Sequence, residues 1–240
     1  MRIATSILLT SVAGLLVLGM VMLFSASTGE TKLNYWLMQP VWGVVGFVTF
    51  SMLAAFGDYA WLKKIWWLVL VATVIMLVLV VVPSIGKEAN GARRWFAYSG
   101  LRFQPSELAK IAVIIVFAWY GERHARKMRD WWWGWLLPGL ILVPVLALIF
   151  AEPDWGTSAL IGSVGAILLY LAGTRTSLLA LSGIGAAAGM AVMVAHNPVR
   201  WARLLAFLDP DRYREGIGFQ NCQSLIAIGS GGLDGKGLCD

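Results

Sequence analysis

From Ile65 to Val82 every side chain except Thr73 is apolar, so this stretch has no face to turn toward water. A run of that kind has few places to go. A helix needs roughly 20 mostly apolar residues to cross the hydrocarbon core of a bilayer, and only helices and closed barrels satisfy their own backbone groups there. Similar runs recur at about Ser6 to Phe24, Trp36 to Phe56, Glu107 to Tyr120, Trp133 to Phe150, Ser158 to Ala172 and Leu178 to Ala195, those from Glu107 and from Ser158 being short. The expectation is an all-α, polytopic membrane helix bundle with about seven spans, residues 1–240 forming one membrane domain. A water-soluble domain is excluded, because 59% of the residues are hydrophobic, only 13% are charged, and 13 are tryptophan. A last apolar stretch at Leu225 to Ile228 runs into Gly229-Ser230-Gly231-Gly232 and is too short to span, which suggests a re-entrant or interfacial segment.

Arg2 before an apolar run, with Ser25-Ala26-Ser27 after it, mimics a secretory signal. The run is nevertheless long enough to span and more spans follow at once, which favours an uncleaved first helix. Trp66, Trp67, Tyr120 and Trp131 to Trp133 cluster at segment ends, as aromatic anchors at a membrane interface do. With the N-terminus in the cytoplasm, the inner loops carry Arg2, Lys63, Lys64, Arg123, Arg126, Lys127, Arg129 and Arg175, the distribution the positive-inside rule asks for. The outer side then holds Lys32, the acidic Glu152 and Asp154, and two basic groups that topology does not explain. These are Lys87, Arg93, Arg94 and Arg102 in one loop, and Arg200, Arg203, Arg212, Arg214 and Lys236 after the seventh segment. Basic, aromatic-rich loops at a membrane face suit anionic lipid head groups or a phosphorylated lipid-linked substrate, since arginine forks match phosphate oxygens. The charge is too scattered for a nucleic-acid surface.

Glu107 and Lys110 stand three apart at the start of the fourth segment and can pair on one helical face, as a functional pair or as a structural one at the helix mouth. Pro105 suits the first helical position and Ser106 offers a capping oxygen. Glu152-Pro153-Asp154-Trp155-Gly156-Thr157 reads as a tight turn. Its carboxylates are either solvated loop charges, helix caps acting through Asp154 and Thr157, or groups facing the basic loops across a cavity. His124 and His196 stand alone, and Cys222 and Cys239 have no metal-ligand spacing, so no metal site is indicated. The segment from Gly229 to Gly237 lacks the phosphate-loop pattern, and no cofactor motif appears, although a divalent cation assisting a diphosphate leaves no readable signature.

Several segments together resemble a known family: NGARRW (Asn90 to Trp95), FQPSELAK (Phe103 to Lys110), PDWGT (Pro153 to Thr157), RLLAFLDP (Arg203 to Pro210) and FQNCQSLIAIGSGGLDGKG (Phe219 to Gly237). In this order they resemble the SEDS family of bacterial cell-wall proteins, the FtsW, RodA and SpoVE type. Arg93 is closer to the division and sporulation branch, since glutamine is common there in the elongation branch. Trp155 replaces the usual leucine and Phe219 a common tyrosine; neither removes a charge.

The resemblance implies a ten-helix protein of the cytoplasmic membrane, a peptidoglycan glycosyltransferase that polymerises lipid II on the outer face beside a class B penicillin-binding protein. It also implies roles for residues. Arg93, Arg94 and Arg203 would hold the polyprenyl diphosphate; Glu107, Lys110 and Asp154 would line the central cavity; Gln223 and Lys236 would support or contact substrate. Family members continue past the Gly-Lys-Gly turn to a Thr-Asp-Phe segment bearing the proposed catalytic aspartate. Neither Asp234 nor Asp240 has that context, so the catalytic residue is expected beyond Asp240 and this chain alone is expected to be inactive. Two other functions fit the same resemblance: a flippase for lipid II, or a scaffold that activates the penicillin-binding protein.

Overall fold

The computed structural model describes residues 2–27, 34–56, 59–83, 85–89, 92–98, 101–232 and 235–237. Lys32, Asn90, Gly91, Asp234, Cys239 and Asp240 lie outside the described residues. Along the chain run α1 (Arg2–Ser27), α2 (Asn34–Phe56), α3 (Tyr59–Val81), β1 (Lys87–Ala89), β2 (Ala92–Tyr98), β3 (Leu101–Phe103) and α4 (Pro105–His124). A 3-10 turn (Ala125–Lys127) and a π-helical turn (Trp132–Leu136) lead into α5 (Leu137–Ala151), α6 (Trp155–Leu171), α7 (Thr176–His196), α8 (Pro198–Leu208) and α9 (Phe219–Gly231).

Helices α1 to α7 fall on the apolar segments read from sequence, with their ends moved by a few residues. Four stretches, Ile3–Ser25, Ala60–Val81, Trp132–Ala151 and Thr176–His196, are long and apolar enough to cross a membrane by length and composition alone. Gln39–Ala55 and Trp155–Leu171 are shorter apolar helices. Helix α4 keeps its charges near its ends, Glu107 and Lys110 at one and Glu122 and Arg123 at the other.

The chain divides into two compact units, residues 58–190 and residues 1–57 with 191–240. In the unit of residues 58–190, α4 packs against α3, α5 and α6. The core joins Leu77 of α3, Val113, Val116 and Phe117 of α4, Val145 and Ile149 of α5, and Ile161 and Leu169 of α6. Lipid tails are as apolar as leucine, so helices in a bilayer associate through close packing, and small residues set how close they come. A methyl group added at Gly121 would lie 2.8 Å from the Ala172 Cβ, and one at Gly165 would lie 3.0 Å from Leu142 and 3.1 Å from Phe117. The buried Thr73 hydroxyl donates back to the Val69 carbonyl at 2.7 Å, which explains how one polar residue is tolerated in α3. The wide π turn is held by its neighbours: Tyr120 donates to the Trp133 carbonyl at 2.7 Å and Thr174 to the Gly134 carbonyl at 3.0 Å. Trp133, read as a membrane anchor, also stacks on His124.

The basic loop between α3 and α4 forms a small antiparallel sheet in the order β1-β2-β3, which the sequence reading did not anticipate. Ala89 pairs with Ala92 and Tyr98 with Leu101, so each connection is two residues long. Lys87 pairs with Trp95 but Glu88 with Arg93, so β2 carries one extra residue at Arg94, a β-bulge that bends the strand there.

In the other unit α1 packs on α2. Helix α8 begins at Pro198, and the Asn197 carboxamide oxygen accepts from the Arg200 N–H at 3.2 Å. The segment expected to be re-entrant or interfacial lies inside the 13-residue α9, where buried Cys222 donates its thiol to the Pro210 carbonyl at 3.0 Å.

Candidate functional site

At one end of the unit of residues 58–190, the start of α4, the end of α5, the start of α6 and the sheet come together. Pro105 occupies the first turn of α4 and forces Gln104 into an extended backbone, φ −108° and ψ 117°. Gln104 does not cap its own helix. Its carboxamide donates instead to Asp154 Oδ2 at 3.0 Å. The expected capping by Ser106 is not made: Ser106 lies inside α4, past the N-cap position held by Gln104, and its buried Oγ has no hydrogen-bond partner.

Asp154 is the N-cap of α6. Oδ1 accepts from the Thr157 N–H at 3.2 Å and Oδ2 from the Thr157 hydroxyl at 3.0 Å, while the Ser158 hydroxyl donates to its backbone carbonyl at 3.0 Å. Arg94 closes the corner from β2. Its Nε donates to the Glu152 carbonyl at 2.9 Å, an Nη to the Pro153 carbonyl at 2.6 Å, and the other Nη lies 3.9 Å from Asp154 Oδ2. Capping and facing a basic residue, set apart as alternatives in the sequence, are both realised by Asp154; it is 9% exposed and so not a solvated loop charge.

Glu152 follows the last residue of α5 and is 1% exposed, with neither side-chain oxygen hydrogen-bonded. Burial pushes its carboxyl up to about 8, the charge of Asp154 adds to the rise and Arg94 opposes it. The acid therefore keeps its proton at neutral pH.

Glu107 and Lys110 form the expected ion pair one turn into α4, with 57% of the Glu107 side chain and 30% of the Lys110 side chain exposed. Arg94 and Asp154 meet directly; Arg93 is the β2 residue paired with Glu88 of β1, next to the bulge at Arg94. Arg203, Gln223 and Lys236 belong to the other unit, where all are exposed. Sequence reasoning missed Gln104 and the burial of Glu152. Among the described residues, no group of three or more His, Cys, Asp or Glu is placed to hold a metal ion.

The family described as cell cycle protein, comprising FtsW, RodA and SpoVE, matches residues 6–240. The chain belongs to the SEDS family. It is 34% identical over 238 residues to a probable peptidoglycan glycosyltransferase FtsW of Pseudomonas fluorescens and 38% identical over 236 residues to one of Thioalkalivibrio sulfidiphilus, covering 96% and 95% of this chain. It spans 58% of the length of each. Among solved structures it resembles the rod shape determining protein RodA of Thermus thermophilus, with a TM-score of 0.58, 26% identity, and coverage of 73% of this chain and 57% of that one. It also resembles a chain of a peptidoglycan synthase complex that coordinates polymerization and crosslinking, with a TM-score of 0.64, 30% identity, and coverage of 91% and 65%. SEDS membership and the apolar helices make this a multi-pass membrane protein. The corner around Asp154 thus joins three SEDS-like motifs, those of Arg94, Gln104 and Asp154, through side-chain contacts.

Proposed function

We propose that the protein is a peptidoglycan glycosyltransferase that polymerises lipid II, or the part of one that builds its membrane core. The seven spans belong to the membrane domain of such an enzyme in the cytoplasmic membrane, with the N-terminus inside, beside a class B penicillin-binding protein. The observation that carries this reading is the joint of Arg94, Gln104 and Asp154, which ties a cationic sheet to the mouths of two helices. The names of the relatives and of the synthase complex support the reaction class.

In that reaction a sugar hydroxyl of the acceptor attacks the anomeric carbon of the donor, a base takes the proton, and a polyprenyl diphosphate leaves. Cations stabilise the charge that develops on the leaving group. Arg93, Arg203 and Lys236 are assigned to that task, Gln223 to substrate contact, and the Glu107–Lys110 pair to the substrate-facing start of α4. Arg94 is a positioning residue in this scheme, because its fork is committed to two carbonyls of the turn. Asp154 is not assigned as the base: its Oδ2 already faces Gln104, Thr157 and Arg94. No residue of the chain is assigned as the base.

The test is to incubate labelled lipid II with the protein in its full natural length and its penicillin-binding partner, and to resolve the products on a gel. Glycan ladders that disappear with Asp154→Ala are expected. Transport of lipid II across vesicles without polymer, from correctly folded protein, would replace this reading with a flippase.

A further inference from the structure

The corner around Asp154 holds a group that its hydrogen-bond network does not use. Glu152 is 1% exposed and both of its carboxyl oxygens lack a hydrogen-bond partner. Its backbone is engaged from both directions: its N–H donates to the Leu148 and Ile149 carbonyls, and its carbonyl accepts from Arg94. The backbone of Glu152 is therefore held beside the Arg94–Asp154 contact, with its side chain buried there.

The charges near Glu152 are few. Arg94 from β2 and Asp154 from the N-cap of α6 are the ones that act on it. Helices α5 and α6 contribute no charged residue, nor does α3 after Lys64. Helix α4 brings Glu107 and Lys110 to this end of the bundle, and these pair with each other. Arg94 and Asp154 already cancel, so an ionised Glu152 would leave one buried negative charge without a partner. A buried, unpaired charge is expensive enough that such a group gives up its charge instead.

We propose that Glu152 is a positioning residue that works as an uncharged carboxylic acid, reserving the charge of Arg94 for Asp154 and so keeping the sheet fastened to the start of α6. When Glu152 loses its proton, the guanidinium is shared between two carboxylates and this fastening loosens. The inference concerns the corner alone and holds whether the protein polymerises glycan or moves lipid.

The experiment is infrared difference spectroscopy of the whole chain in lipid, comparing the protein with Glu152→Gln across a pH series. The expected result is a carbonyl band of a protonated carboxylic acid at neutral pH that fades as the pH rises through about 8 and is missing from Glu152→Gln. In Asp154→Asn the neighbouring negative charge is gone, and the midpoint of the titration moves down. Glu152→Gln, which is neutral and of the same shape, keeps the melting temperature at neutral pH. The proposal is overturned if no such band is present at neutral pH, if the band survives in Glu152→Gln, or if Glu152→Gln melts well below the parent at neutral pH while Glu152→Asp does not. Should Glu152→Gln fail to insert, the titration of the parent and its shift in Asp154→Asn decide the matter.

Discussion

Gln104 and Asp154 are fifty residues apart and joined by one hydrogen bond of 3.0 Å, from the carboxamide of the residue before α4 to the carboxylate that caps α6. That bond couples the entry of one helix to the entry of another. A hydrogen bond to a charged acceptor contributes roughly 1.5–3 kcal/mol. Gln104→Ala and Asp154→Ala should each lower thermal stability in detergent, and the double variant should be less destabilised than the sum of the two. Strict additivity would mean that the contact does not couple the helices.

Arg94→Lys is expected to behave like Arg94→Ala. Lysine keeps the charge but lacks the planar fork whose Nε and Nη reach the Glu152 and Pro153 carbonyls from separate, fixed positions. Melting temperature should fall, and with it the proposed glycan synthesis of the protein in its full natural length. Near-normal values for the lysine variant would show that charge alone matters at this position.

The Glu107–Lys110 pair should separate stability from activity. With the Glu107 side chain 57% exposed and Lys110 30% exposed, the pair contributes only about 0–1 kcal/mol. Glu107→Ala and Lys110→Ala are expected to melt close to the parent yet, if the proposed function holds, to lose polymer synthesis in the protein of full natural length. If the double alanine variant recovers synthesis, the pair is structural.

Stability should fall with rising pH in a window set by Glu152. In the unfolded chain its carboxyl titrates near the ordinary 4.5, and in the folded protein near 8. Between those values the folded state holds one more proton, so the stabilisation is complete below about 4.5 and is lost as the pH rises toward 8. The loss is on the order of a few kcal/mol. A chemical or thermal denaturation series should show this decline, and Glu152→Gln should flatten it; a parallel decline in Glu152→Gln would assign it to other groups.

The helices were legible because runs such as Ile65 to Val82 leave the backbone no alternative in a bilayer. The start of α4 at Pro105 and the cap at Asp154 and Thr157 were legible because their chemistry is local. The sheet had a local signal too: Asn90-Gly91 lies between β1 and β2, a dipeptide that favours a two-residue hairpin. Reading this loop for charge hid that signal. Gln104 and Glu152 were different, because their roles come from residues far away in sequence. A glutamate beside a proline in a turn looks solvated until the end of α5 and the sheet cover it. Helix α8 carried Asn197 and Pro198 as start signals, which its arginines drew attention from.

The packing of α4 on the end of α6 makes the last prediction. A Cβ at Gly121 would sit 2.8 Å from the Ala172 Cβ, closer than two methyl groups tolerate, and both atoms are attached directly to backbone. Neither side chain can rotate away, so Gly121→Ala must push the helices apart or bend one of them. Overpacking of this kind costs about 1–3 kcal/mol. Ala172→Gly alone removes a methyl group and adds backbone freedom, a loss of roughly 0.5–1 kcal/mol. The exchange Gly121→Ala/Ala172→Gly moves the one methyl group to the other helix and restores the approach, so its melting temperature should exceed that of Gly121→Ala. If the exchange melts no higher, Gly121 is needed for its backbone and the contact with Ala172 does not limit how closely α4 and α6 pack.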